Sequence, residues 1–160
     1  MPLERARAHL ARYGLDGRIL TFTVSSATVA LAAEAVGCAP RNIVKTLSFQ
    51  KGEGALLVLA AGTARIDNGK FKARFGMKAR MLPADRVEAL VGHAIGGVCP
   101  FGAEPGVEIW LDESIRGLDP VYPAAGTPSS AVRLSVDELA LASGALGWVD
   151  VTKEPSEETA

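Results

Sequence analysis

Few side chains in this 160-residue sequence stand where they could do chemistry, and the first is Lys45. It lies in Asn42-Ile43-Val44-Lys45-Thr46-Leu47-Ser48-Phe49, a run that reads as a β-strand. Alternation places Ile43, Lys45, Leu47 and Phe49 on one face and Val44, Thr46 and Ser48 on the other. An ammonium among apolar neighbours is costly to desolvate, so this lysine needs an anionic partner or an opening to a cleft. The second candidate is the loop Gly96-Gly97-Val98-Cys99-Pro100. Its glycines let backbone approach a ligand and aim N–H groups at an oxygen, while Pro100 stiffens the exit. Taken alone, the same glycines also fit a plain structural turn. Cys99 has no visible base to activate it as a nucleophile and reads first as a small apolar loop residue.

Familiar catalytic motifs are missing. Gly69-Lys70 is followed by Phe71 where a phosphate loop needs Ser or Thr, and the glycine spacing is wrong. There is no Gly-x-Ser-x-Gly elbow, and His9 and His93 do not pair at metal-binding spacing, so neither a metal nor a cofactor is expected. Two cysteines, Cys38 and Cys99, are too few and too far apart for a disulfide framework. With no secretory leader read at the start, the expectation is a soluble cytoplasmic protein. The longest apolar run, Ala55 to Gly62, is strand-sized and does not suit a membrane span.

Net charge is −1, but it is unevenly spread. Arg65, Lys70, Lys72, Arg74, Lys78, Arg80 and Arg86 face only Asp67 and Asp85, so residues 65–86 carry +5 and the rest −6. Such a patch suits a phosphate backbone, although most charge clusters are simply solvated faces.

The elements that must position these residues follow in chain order. Pro2 to Tyr13 reads as an amphipathic helix with Leu3, Ala6, Leu10 and Tyr13 on one face. Ile19 to Val24 reads as a strand, and Ser25-Ser26 as the cap of a helix ending at Gly37. Lys51-Gly52-Glu53-Gly54 joins the lysine strand to Ala55–Ala61 as a hairpin. Asp67 or Asn68 caps a helix carrying Lys70, Lys72 and Arg74, and Met77, Ala79 and Met81 alternate as a half-exposed strand. Pro83 opens a further helix, Val107–Leu111, Val121–Ala125 and Ala131–Leu134 read as strands, and Ser135 with Glu138 forms a capping box for the last helix. Trp148 to Val151 is a closing strand. One domain over residues 1–151 and an acidic, disordered tail over 152–160 is the resulting layout.

Three segments in this order carry a resemblance: Ser25-Ser26-Ala27-Thr28-Val29 with Ala32-Ala33, Ile43-Val44-Lys45-Thr46-Leu47, and Gly96-Gly97-Val98-Cys99-Pro100-Phe101-Gly102. Together they resemble the YbaK/ProX family of aminoacyl-tRNA editing domains, relatives of the editing insertion of bacterial prolyl-tRNA synthetases, over roughly Ile19 to Val151. The resemblance implies an α+β fold with a mixed, mostly antiparallel sheet curved towards a barrel and surrounded by helices. It implies a free-standing, metal-independent hydrolase that deacylates mischarged tRNA in trans. Its partners would be the tRNA acceptor end and, as an open possibility, a synthetase; oligomeric state is left open.

By the same resemblance Lys45 matches the essential lysine that holds the terminal phosphate and ribose, and Gly96, Gly97, Val98, Cys99 and Pro100 match the loop that shapes the amino-acid pocket. In that scheme, backbone N–H groups near Gly96 and Gly97 would stabilise a developing oxyanion. Ser26, Thr28, Thr46, Ser129 and Ser130 are further candidates for substrate contact, with helix capping and turn chemistry as the structural alternatives for Ser26, Thr28 and the two later serines. Lys70, Lys72 and Arg74 are candidates for the acceptor stem. Where several family members carry an acid or a histidine, this chain has Ser129-Ser130-Ala131-Val132. A non-catalytic binder of an aminoacyl or nucleotide end, and a hydrolase of another small aminoacyl ester, are the competing readings.

Overall fold

Strong β-formers and a two-residue turn make the Lys45 segment the longer arm of a hairpin. Ile43–Lys51 pairs antiparallel with Gly54–Ala61 along its whole length, Lys51 opposite Gly54, and Gly52 supplies the left-handed φ of +59° that the turn needs. The structure, a computed structural model, describes residues 2–23, 28–93 and 98–154. In chain order its elements are α1 (Pro2–Ala11), β1 (Ile19–Thr21), α2 (Val29–Val36), β2 (Ile43–Lys51), β3 (Gly54–Ala61), β4 (Arg65–Ile66), α3 (Asn68–Phe75), α4 (Ala84–Val91), β5 (Glu108–Asp112), β6 (Tyr122–Pro123), β7 (Ser130–Val132), α5 (Val136–Ser143), β8 (Trp148–Val149) and β9 (Thr152–Lys153).

The hairpin becomes a five-stranded mixed sheet of order β6-β2-β3-β5-β8, in which β6, β5 and β8 join in parallel. Antiparallel pairs β1–β7 and β4–β9 complete a mixed α+β architecture with mainly antiparallel pairing. Being central, β3 is buried on both faces, which explains why Ala55 to Ala61 reads as an unbroken apolar run. On one face Val44, Leu57, Leu59, Ile109 and Leu111 pack with Ala6 and Leu10 of α1, Val87 and Val91 of α4, and Leu139 and Ala142 of α5. On the other, Phe49, Leu56 and Val58 pack with Phe71, Val149 and Val151, and the Phe49 and Phe71 rings lie 4.7 Å apart. Each fully buried leucine of this kind contributes about 1.5–3 kcal/mol. Lys45 shares the second face through alternation with Leu47 and Phe49.

Buried Asp112 ties the end of β5 to the end of the chain. It accepts from Ser114 N (2.8 Å), Val151 N (2.9 Å) and Thr152 Oγ1 (2.6 Å). Thr152 and Lys153, expected within an acidic disordered tail, instead form β9 against β4, and residues 155–160 lie outside the described residues. Two more local expectations are corrected. α2 is capped by Thr28, whose Oγ1 accepts from Leu31 N at 3.1 Å, rather than by Ser25-Ser26. Residues 77–81 form only an isolated bridge at Met81, and Met81 is exposed while Leu82 is buried, because the passing chain is fixed by Gln50 N donating to the Arg80 carbonyl and Leu82 N donating to the Ser48 carbonyl. The box joining Ser135 to Glu138 caps α5 as expected.

Candidate functional site

The outer edge of β2 is covered at both ends and open between them. Ile43 and Val44 pair with Tyr122 and Pro123 of β6. Further along, Leu82 N donates to the Ser48 carbonyl (3.0 Å) and Gln50 N to the Arg80 carbonyl (2.8 Å). Between these two, at Lys45–Leu47, no strand neighbour pairs with β2 among the described residues. A cavity of about 290 Å³ lies against this gap, at the small end of the range for ligand sites.

Its lining brings together segments far apart in the chain. Val29 and Ala32 come from α2 and Thr28 from its cap, Ile43, Val44, Lys45, Thr46 and Ser48 from β2, and Met81, Leu82 and Val87 from the approach to α4 and from α4 itself. Val98, Tyr122, Ala124, Thr127, Ser130 and Ala131 complete the wall. Gly62 sets how closely α2 sits. A Cβ there would lie 2.7 Å from Val29 Cγ1 and 3.1 Å from the Ile43 carbonyl, and would press on the Pro40 carbonyl.

Lys45 is half-buried at the mouth, with Nζ donating to the Ala64 carbonyl. No ion pair among the described residues includes it. Burial, and next the neighbouring Arg65 guanidinium, hold its pKa below the usual lysine value. The result is a cation with a second cation beside it and no carboxylate, an arrangement that favours an incoming anion.

Thr28 both caps α2 and lines the cavity. Thr46 also lines it, and its Oγ1 is buried with no hydrogen-bond partner among the described residues. Ser130 Oγ is engaged in the turn, donating to the Thr127 carbonyl (3.1 Å) and accepting from Ala125 N and Thr127 Oγ1. Ser129 is drawn the same way, with its N–H on Thr127 Oγ1 and its carbonyl accepting from Phe22 N, and does not line the cavity. Turn chemistry thus accounts for both serines.

Of the glycine loop, Val98 reaches the cavity, whereas Cys99 and Pro100 are buried behind it. Burial pushes the Cys99 thiol up to about 12, so it is no nucleophile at neutral pH. Ser26, Gly96 and Gly97 lie outside the described residues. The base of the loop is clasped: His93 Nε2–H donates to the Phe101 carbonyl (2.7 Å), and Arg5 donates to the Gly102 carbonyl and pairs with Glu104 (2.9 Å).

The basic residues of α3 divide. Lys70 is held by Asp150 (3.1 Å) and the Thr152 carbonyl (2.8 Å), and the Arg74 guanidinium lies 4.8 Å over the Trp110 ring. Lys72 is exposed and joins no ion pair among the described residues. α3 packs Phe71 and Phe75 on the same sheet face as Lys45, and none of its residues lines the cavity.

Residues missed from the sequence are the apolar walls, Val29, Ala32, Leu82, Val87, Tyr122 and Ala124, which carry no local signal beyond core-like character. Among the described lining side chains only Lys45 and Tyr122 are titratable, and neither is a carboxylate, histidine or thiol. Chemistry here relies on positioning a labile bond and on polar groups that meet developing charge. No group of three His, Cys, Asp or Glu side chains forms among the described residues, and no helix among them is long and apolar enough to cross a membrane.

Comparison with known proteins fits this geometry. The chain is 42% identical over 155 residues, 96% of its length and 99% of the relative's, to YwhH, an uncharacterised protein of Bacillus subtilis (strain 168). A proline–tRNA ligase of Thermotoga sp. (strain RQ2) is 30% identical over 92 residues, 57% of this chain but only 16% of the ligase. The crystal structure of a candidate trans-editing enzyme for prolyl-tRNA synthetase superposes with a TM-score of 0.86 at 33% identity, covering 95% of this chain and 97% of that one. With residues 23–141, which hold the whole cavity wall from Thr28 to Ala131, matching the model of the aminoacyl-tRNA editing domain, the chain belongs to that family.

Proposed function

We propose that the protein is a trans-acting deacylase that hydrolyses the ester of a mischarged tRNA. The observation that carries this reading is a half-buried lysine without a carboxylate partner at the mouth of a cavity sized for a small side chain. In this scheme Lys45 and Arg65 take the terminal phosphate and ribose. Lys72, with Lys70 and Arg74 beside it, meets the acceptor stem without reading its sequence. The amino acid enters at the gap in β2 and is judged by size against Val29, Ala32, Val98 and Ala131.

Water adds to the ester carbonyl carbon, the bond to the ribose oxygen breaks, and the water proton ends on that oxygen as the alcohol leaves. An aminoacyl ester is already reactive, and holding it in an attack geometry supplies a large part of the barrier reduction. No metal or cofactor is required by this scheme. The match of a prolyl-tRNA ligase segment supports a substrate charged on tRNA for proline, and hence a place in translation fidelity with a synthetase as partner. The absence of an acid at Ala131 favours a second reading, in which the same site binds an aminoacyl end without turnover.

A deacylation screen over tRNAs charged with Ala, Ser, Thr, Cys and Pro tests the proposal. Cleavage of at least one small aminoacyl ester well above the rate in buffer is expected. If every ester survives as long with protein as without, the enzyme reading is lost and only binding remains.

A further inference from the structure

Thr46 sits at the centre of the open edge, and the hydrogen bonds on either side fix which way its backbone points. The Ser48 carbonyl and the Gln50 N–H both turn outward, to Leu82 and Arg80. Alternate residues of a strand turn their polar groups the same way, so the N–H and C=O of Thr46 also face outward. They face the stretch where no strand neighbour is present among the described residues, and Thr46 lines the cavity there. The side chain adds an independent sign of polar strain at this point: Oγ1 is buried and has no hydrogen-bond partner among the described residues. Buried backbone and hydroxyl groups in folded proteins are nearly always paired. One residue therefore offers a main-chain donor and a main-chain acceptor at the gap beside the cavity.

We propose that Thr46 is the recognition point for the aminoacyl group, its C=O accepting from the substrate's α-ammonium and its N–H donating to the ester carbonyl oxygen. This rests on the deacylase reading and deepens it. The pair of main-chain bonds is the same one an added β-strand would make at this edge, shortened to a single residue. As water adds, the carbonyl oxygen gains negative charge while the Thr46 N–H stays on it, so the donor strengthens in the transition state. A substrate whose amine is blocked loses its charge and its fit together.

The test uses the full chain and a non-hydrolysable probe, 3′-alanylamino-3′-deoxyadenosine, with its N-acetyl derivative for comparison. The Thr46 amide resonance of ¹⁵N-labelled protein is expected among those shifted most by the probe, and N-acetylation is expected to weaken binding at least tenfold. Replacing Thr46 by its α-hydroxy acid analogue, which removes only the N–H, is expected to lower deacylation at least tenfold. Thr46→Val, which keeps the backbone, should cost less. A probe that shifts the cavity wall but leaves Thr46 unmoved, or an N-acetyl derivative that binds equally well, overturns the assignment. The two readings separate: charged tRNA cleaved without any Thr46 response sinks this inference alone, and a Thr46 response without cleavage sinks only the deacylase reading. Neither cleavage nor any bound probe sinks both.

Discussion

Replacing Lys45 by methionine separates a functional lysine from a structural one. Met keeps most of the stem that packs beside Leu47 and removes only the ammonium. A hydrogen bond to a charged partner is worth about 1.5–3 kcal/mol. Losing one between Lys45 and the tRNA terminus therefore lowers kcat/KM by roughly 10- to 150-fold. Stability should respond quite differently. The variant gives up the bond to the Ala64 carbonyl, about 1 kcal/mol, but it also relieves the burial of a charge and its repulsion by Arg65. These oppose each other, so the unfolding free energy should stay within about 1 kcal/mol of wild type. The pH dependence carries a sign as well. Because the folded state holds the lysine pKa below its unfolded value of about 10.4, the wild type gains stability as pH rises towards that value, and the variant lacks that gain. Deacylation of charged tRNA and urea unfolding of the same preparations decide the matter. Activity within twofold of wild type would refute the anchor, and a stability loss above about 2 kcal/mol would make the lysine structural.

Three further outcomes follow from other contacts. Asp112→Ala strands two backbone donors and a hydroxyl in the interior, at about 1–3 kcal/mol for each unmet group; chemical unfolding should show a loss of at least about 3 kcal/mol, and a loss below about 1 would mean water replaces the carboxylate. Gly62→Ala presses on backbone carbonyls that no rotamer change can move, so destabilisation of about 1–3 kcal/mol is expected, with faster amide exchange in α2; unaltered exchange would contradict the tight approach. Burial holds the His93 pKa low, so the neutral form is favoured in the fold. Stability is fully present above an unfolded pKa of about 6.5 and falls as pH drops below it. His93→Leu should flatten that part of the pH profile, and an unchanged slope would shift the effect elsewhere.

What could be read from the residues was local. The hairpin, the faces of β2, the capping box at Ser135 and the glycine stops depend on neighbours within a few positions, and each is present. The anomaly at Lys45 was legible for the same reason, since alternation alone places it among Leu47 and Phe49. Long-range pairing was not. That β5, β6 and β8 join in parallel depends on distant segments, and so does the cavity, half of whose wall is ordinary apolar surface brought in from α2, α4 and the approach to β7. The cap of α2 moved to Thr28 because several hydroxyls in one stretch suit the role equally. The phase at Met81 and Leu82 was set by pairing with β2, which overrode an alternation that looked sufficient by itself.

The interruption at Thr46 also bears on whether two molecules could pair through this strand edge. An exposed strand edge invites the same edge of another molecule, and proteins commonly guard such edges with charge or cover. Here the uncovered length is Lys45–Leu47, roughly 10 Å at about 3.3 Å per residue, with β6 closing one side and residues 80–82 the other. That span is too short to seat a strand from a neighbouring chain but long enough for a single aminoacyl group. Under the proposed reading, the two flanking segments that leave room for a guest would be the same ones that keep a second strand out.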